Sequence, residues 1–348
     1  MKSLLPAISA VALITMTLVH ALGLTAEPLH LSFAPVWLLF MIIAALPLAF
    51  VDALLVRRTQ KMPLEGLVSI TRDADISTRW RLLAPLSMLA LALLMGQASH
   101  YATHNVAWTE PNMMLKEVLP YLVIFFTVGF AWVGMRRLLS FVGILVPVAL
   151  VVNAMSSALK FEFFLLTPQQ WQLVASGALL SSLSASGVYA WLLMQQTPQQ
   201  HASSQILPLW LTQTVVGLLA LVVGQATDAI YLVMYMLCAI FALAVCAETI
   251  GAQLQAKGWA KPIALGSVLL AGVLTASAAE YVAFDYVLKA IMLLSLLGFA
   301  VLAGWKIKIS HARKALNFSH EGIYNLWRVF IRLVVPVTTV WLLVSMVL

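Results

Sequence analysis

The 348-residue chain is 62% hydrophobic and only 9% charged, with a formal net charge of +7. Charge this sparse, gathered into short clusters between long apolar runs, excludes an ordinary soluble domain and points to an all-α polytopic membrane protein. The basic excess lies in separate short loops with no aromatic platform between them, so it does not read as a nucleic-acid surface.

A helix needs about 20 mostly apolar residues to cross a hydrocarbon core ~30 Å thick, because its backbone polar groups must be satisfied within the segment. Eleven segments meet this requirement, near residues 4–24, 33–55, 82–101, 118–134, 139–159, 171–194, 207–225, 229–250, 262–279, 284–305 and 326–348. The first follows a lone Lys2 and precedes no small-residue cleavage site, so it is expected to be retained rather than removed as a signal peptide. Between the second and third segments, Arg72, Asp73, Asp75 and Arg79 read as a solvated, self-compensating cluster. The alternative there is a helix lying on the inner membrane surface, since Leu64, Leu67, Val68 and Ile70 lie beside it.

In the third segment His100 and His104 stand one helical turn apart, an interfacial pair rather than a zinc site, since no further ligands accompany them. Ser181, Ser182, Ser184, Ser186 and Gly187 interrupt the sixth segment, either as a break in the helix or as small residues that let helices pack closely. Cys238 and Cys246 are eight apart in the eighth segment, too far along a helix to pair, and read as packing residues. Asp52 and Glu248 lie near segment ends, where a snorkelled or Arg-paired role is expected for both.

Lys and Arg collect in cytoplasmic loops. With the N-terminus inside, Lys2, Arg57, Arg58, Lys61, Arg72, Arg79, Arg81, Arg136, Arg137, Lys257, Lys261, Lys306, Lys308, Arg313, Lys314, Arg328 and Arg332 all fall on that side, and the C-terminus lies outside. Only Lys116 and Lys160 break the pattern, and Lys289 lies within the tenth segment. No Walker loop, dinucleotide fingerprint or His-Glu-x-x-His occurs, and no nucleophile, base and orienting group fall together. Neither an enzyme nor a cofactor or metal is expected.

Several stretches carry a more specific pattern in order along the chain. Phe33 to Arg57 is an apolar helix with Pro47, an acidic residue five positions later at Asp52, and a basic exit. Phe130 to Pro147 holds a short basic turn, Trp171 to Gly187 a serine-rich interruption, and Glu248 to Trp259 a helix end and loop. The tenth segment keeps Asp285 near its start and Gly304-Trp305 at its exit, and the last runs YNLWRVFIRLVVPV. Taken together, these resemble the neurotransmitter:sodium symporter family almost end to end, in a reduced, bacterial-type form.

The resemblance implies the LeuT-type fold, a 5+5 inverted repeat plus one extra C-terminal helix. Repeat one would span about 4–160, repeat two about 171–305 and the extra helix about 326–348. It implies first and sixth helices broken at the midplane, with a site lined by segments one, three, six and eight, where free backbone groups hold carboxylates and cations. It also implies the bacterial inner membrane as location. The chain departs from the family at its ion sites. The unwinding glycines of the first helix are Ile14 and Met16, the ion-binding Asn is Thr17, and the Thr-Ser pair of the eighth helix is Phe241 and Ala242. Side chains without oxygen cannot hold sodium, so sodium coupling of the family type is not expected, and the first helix should be less broken than the sixth.

By the same resemblance the substrate-contacting Tyr of the third helix falls on Ala98, with Gln97 and Tyr101 beside it. The expected substrate set is therefore Thr17, Gln97, Tyr101, Ser182, Ser184, Ser186 and Gly187. His20 takes the place of the family's outer-gate Arg, opposite Asp285, with Lys289 one turn away as a competing partner. The leading reading is a sodium-independent secondary transporter of a small amino acid or amine. The rival is a pseudo-transporter that kept the fold as a subunit or scaffold for another membrane protein. The partners implied are the lipid bilayer, that small solute and, on the rival reading, a membrane protein.

Overall fold

The computed structural model describes residues 4–25, 31–104, 113–156, 165–196, 200–224 and 229–346, all helices and their connections with no strand among them. Of the expectations above, those on Lys2 and Lys160 lie outside the described residues.

Among the described residues, eight helices are long and apolar enough to cross a membrane: Ala34–Thr59, Thr78–His104, Met135–Met155, Ser203–Val223, Ile230–Ala256, Lys261–Ala278, Val282–Lys306 and Glu321–Ser345. Leu5–Ala21 supplies the first segment, Met113–Val133 the fourth, and Pro168–Leu180 with Val188–Gln195 the two halves of the sixth. Between the second and third segments, Pro63–Asp73 forms a helix whose Leu67, Ile70 and Thr71 are buried within the protein, while Arg72, Asp73, Asp75 and Arg79 are all exposed, as the solvated-cluster reading expects. A second short helix, Ile309–Leu316, precedes the last segment.

Local sequence explains many of the ends and irregularities. Pro6, Pro35, Pro63, Pro168 and Pro262 occupy first-turn positions, where a missing N–H costs nothing. Thr167 and Gln170 cap the sixth segment reciprocally, side chain to backbone. Proline deeper in a helix removes a backbone bond, and one-turn π-helical widenings precede Pro47, at Met41–Ala45, and Pro336, at Phe330–Val334. The carbonyls near the first widening take side-chain donors from other segments: Trp210 Nε1 donates to Met41 O at 2.9 Å and Trp327 Nε1 to Pro47 O at 3.0 Å.

Burial orders the segments from centre to rim. Fourteen of the seventeen residues of Leu5–Ala21 are buried, so the first segment is central although it begins the chain. Phe125, Phe141, Ile144, Leu270, Leu274 and Val337 are exposed on the fourth, fifth, ninth and eleventh segments, an apolar rim suited to lipid. Small residues set the closest approaches. A Cβ on Gly96 would lie 2.4 Å from the Thr275 carbonyl carbon, and Thr275 Oγ1 donates to Ala92 O at 2.9 Å, so the third and ninth segments touch backbone to backbone. Gly217 likewise admits the ring of Trp37, which donates to Thr214 O at 3.2 Å.

Candidate functional site

The sixth segment stops at Leu180 and resumes at Val188, and the intervening chain turns without helix. Leu183, Ala185 and Gly187 have φ of 53°, 59° and 87°, a left-handed conformation that interrupts the helical ladder at three alternate residues. The serines bond locally rather than across helices: Ser184 Oγ donates to Ser182 O at 3.2 Å and Ser186 Oγ to Leu183 O at 2.5 Å. Hydroxyls that compete with the backbone in this way favour turns, and this decides between the two readings of the serine run in favour of a break.

A break in the apolar core leaves backbone groups that need partners. Three other segments supply them. Asp52 of the second accepts the Ala185 N–H at 3.1 Å, Ser295 of the tenth donates to Ala185 O at 3.0 Å, and Gln213 of the seventh donates to Ser181 O at 2.6 Å. Gln213 also accepts from the Tyr189 hydroxyl at 3.0 Å, which ties the second half of the sixth segment to the same node. Asp52 is buried, and its second carboxylate oxygen has no partner among the described residues, nor has the hydroxyl of Ser182.

This corrects two expectations. Asp52 is neither snorkelled nor paired with arginine: Arg57 instead donates to Ala315 O, Gln205 Oε1 and Gln200 O. Glu248 is also a backbone acceptor, taking the Met135 N–H at 2.7 Å where Gly134, at φ 99°, turns the chain between the fourth and fifth segments. Gln213, Tyr189 and Ser295 belong to none of the sequence patterns described above. An intramembrane Gln was the one signal that could have marked Gln213.

The first segment, by contrast, is continuous through Ile14 to Thr17, and Thr17 Oγ1 donates to Leu13 O at 2.8 Å within its own helix. The implied break in this helix is absent: Ile14 and Met16 stand where glycines would permit unwinding, and the helix runs on through Thr15 although the Thr15 hydroxyl has no partner among the described residues. At its far end His20 is fully enclosed: Met16 O lies 2.9 Å from Nδ1 and the Tyr231 hydroxyl 2.8 Å from Nε2, with the Tyr235 ring centred 4.8 Å away. Tyr101 lies edge-on to His20 at 6.3 Å, Tyr235 donates to Thr17 O at 3.3 Å, and Gln97 Nε2 donates to Ala21 O at 3.3 Å. Thr17, Gln97 and Tyr101 thus gather round His20 as a cap joining segments one, three and eight, apart from the serines. Asp285 pairs with Lys289 at 2.6 Å, so the His20–Asp285 gate is not formed and the competing partner holds the carboxylate. His100 and His104 stack with ring centres 3.7 Å apart, and no cluster of His, Cys, Asp or Glu suited to a metal occurs among the described residues.

Between cap and break lies a cavity of about 20 Å³, lined by Leu18, Leu94, Leu180, Ser184, Ser186 and Ser295 among others. It has room for about one water. Its walls come from segments one, three, six and ten, so the tenth stands where the eighth was expected. The eighth presents Phe241 to the ring of Phe130 at 4.8 Å, and Ala242 is buried.

No family model matches the sequence, and no curated protein does. Among solved structures, 97 chains match. One is the crystal structure of MhsT in complex with L-phenylalanine, similar at a TM-score of 0.77 and 14% identity over 99% of this chain and 98% of that one. A likeness of that extent at so low an identity is one of fold: the chain is an integral membrane protein with the LeuT-type fold.

Proposed function

We propose that this protein is a secondary transporter of a small organic solute, an amino acid or amine, that works without the sodium sites of the neurotransmitter:sodium symporter family. The observation that carries this reading is the sixth-segment break at the centre of the fold, held by Asp52, Gln213 and Ser295 from three other segments. Unwound backbone at membrane depth is costly and is kept where it faces a ligand or a moving part. The cavity of about 20 Å³ cannot hold an amino acid, so the conformation described is closed and loading requires segments to separate. Phe241 and Ala242 offer no side-chain oxygen, which supports the absence of sodium coupling.

The closed cavity also favours a second reading, a pseudo-transporter whose site has collapsed and which serves as a membrane subunit. Uptake of labelled amino acids and amines into proteoliposomes separates the two, with Na⁺ replaced by choline in one arm and a pH gradient imposed in another. Saturable uptake that survives choline is the expected result. Strict sodium dependence removes the sodium-free proposal, and no uptake of any tested solute under any gradient leaves the subunit reading.

A further inference from the structure

At the basic end of the second segment, away from the central cavity, the helices Pro63–Asp73 and Ile309–Leu316 come together against Arg57 and Arg58. The three elements enclose a cleft of about 480 Å³ lined by Arg57, Arg58, Asp73, His311, Lys314 and Ala315.

Its cations play different parts. Arg57 donates through Nε to Ala315 O at 2.7 Å, through Nη1 to Gln205 Oε1 at 3.1 Å and through Nη2 to Gln200 O at 2.9 Å, which pins the helix Ile309–Leu316 to the second segment. Arg58 is not used in this way. Its side chain is 11% exposed, its Nη2 lies 3.6 Å from the Asp73 carboxylate, too long for a hydrogen bond, and its buried Nη1 has no partner among the described residues. The buried Nδ1 of His311 also lacks a partner there, and Lys314 is exposed at the rim. Asp73 is 59% exposed and is the only carboxylate among the lining residues.

A guanidinium taken out of water with donors unfilled is costly, and its planar fork matches a tetrahedral oxyanion better than any neutral group. We propose that this cleft binds a phosphate group, with Arg58 as its main ligand and His311 and Lys314 completing the cradle. The second segment emerges from the membrane here, so the phosphate comes either from a phospholipid headgroup or from a soluble phosphate.

Thermal unfolding of the purified full-length protein in neutral detergent tests this. Inorganic phosphate is titrated against chloride at equal ionic strength, and short-chain phosphatidylglycerol against phosphate-free diacylglycerol of the same chain length, since a ligand that binds the folded state raises Tm. A rise with inorganic phosphate identifies a soluble source, and a rise with phosphatidylglycerol alone a headgroup. Arg58→Gln should weaken the response about tenfold in apparent Kd, the loss of one charged hydrogen-bonding partner, while Arg136→Gln, remote from the cleft, should not change it. Asp73→Asn removes only an exposed competing carboxylate and should tighten binding. Should Arg58→Gln not fold, Asp73→Asn decides alone. No stabilisation by either probe, or an Asp73→Asn protein that binds no more tightly than the parent, overturns the proposal.

Discussion

Asp52 shows how much a single buried acceptor can hold. Its carboxylate meets the backbone of Ala185, 133 positions along the chain, at the point where the sixth helix is unwound. Asp52→Ala leaves that N–H without its acceptor and should cost roughly 1–3 kcal/mol. Asp52→Asn keeps an acceptor oxygen of the same shape and should cost less. Thermal unfolding of the two variants checks the order, and an Asp52→Ala protein that melts with the parent would show the Ala185 N–H to be satisfied by something else. The serine run was readable from the sequence because five small or hydroxyl residues stand together in an apolar segment. The partner was not readable, because a proline and an acid five residues apart say which helix they belong to and nothing of what faces it.

Among elements, contact between the third and ninth segments depends on the absence of a side chain at Gly96, since a Cβ there meets the Thr275 backbone, which has no rotamer to give way. Gly96→Ala should destabilise by about 1–3 kcal/mol through overpacking. Gly129→Ala is the matched control: its Cβ meets nothing within 4 Å, and in a helix alanine is favoured over glycine by about 1 kcal/mol. Denaturation midpoints should move in opposite directions. A Gly96→Ala protein as stable as the parent would mean that the two helices do not touch as described. That the first segment is less broken than the sixth was readable, since Ile14 and Met16 stand where glycines would permit unwinding, but that it is wholly unbroken was not. The site's walls were not, and the tenth segment stands where the eighth was expected because Phe241 turns towards Phe130.

For the whole molecule, the distribution of Lys and Arg predicts a cytoplasmic N-terminus. A cysteine at Thr59 and one at Asn105, the latter outside the described residues, should label from opposite sides of the membrane. Cys238 and Cys246 are buried and free, so the parent protein should give little background. Labelling of both positions from one side would overturn the topology. The cleft at the basic end of the second segment and the aromatic cap round His20 at the end of the first lie at different segment ends, and this measurement fixes which side of the membrane each faces.

By itself the sequence determined the class and the apolar segments and marked the serine run as a place where the sixth helix either breaks or packs closely, because these depend on composition along a single helix and on the bilayer's demand that backbone groups be satisfied locally. The tertiary structure decided the partners: that Asp52 and Gln213 hold the break, that Glu248 caps the fifth segment, that His20 bonds to Tyr231 while Asp285 bonds to Lys289, and that the cavity beside the break is nearly closed. Except for the Asp285–Lys289 pair within one helical turn, these contacts join residues more than a hundred positions apart or on separate segments. Helix rotation and crossing set them, and the two are fixed only when all the segments pack together.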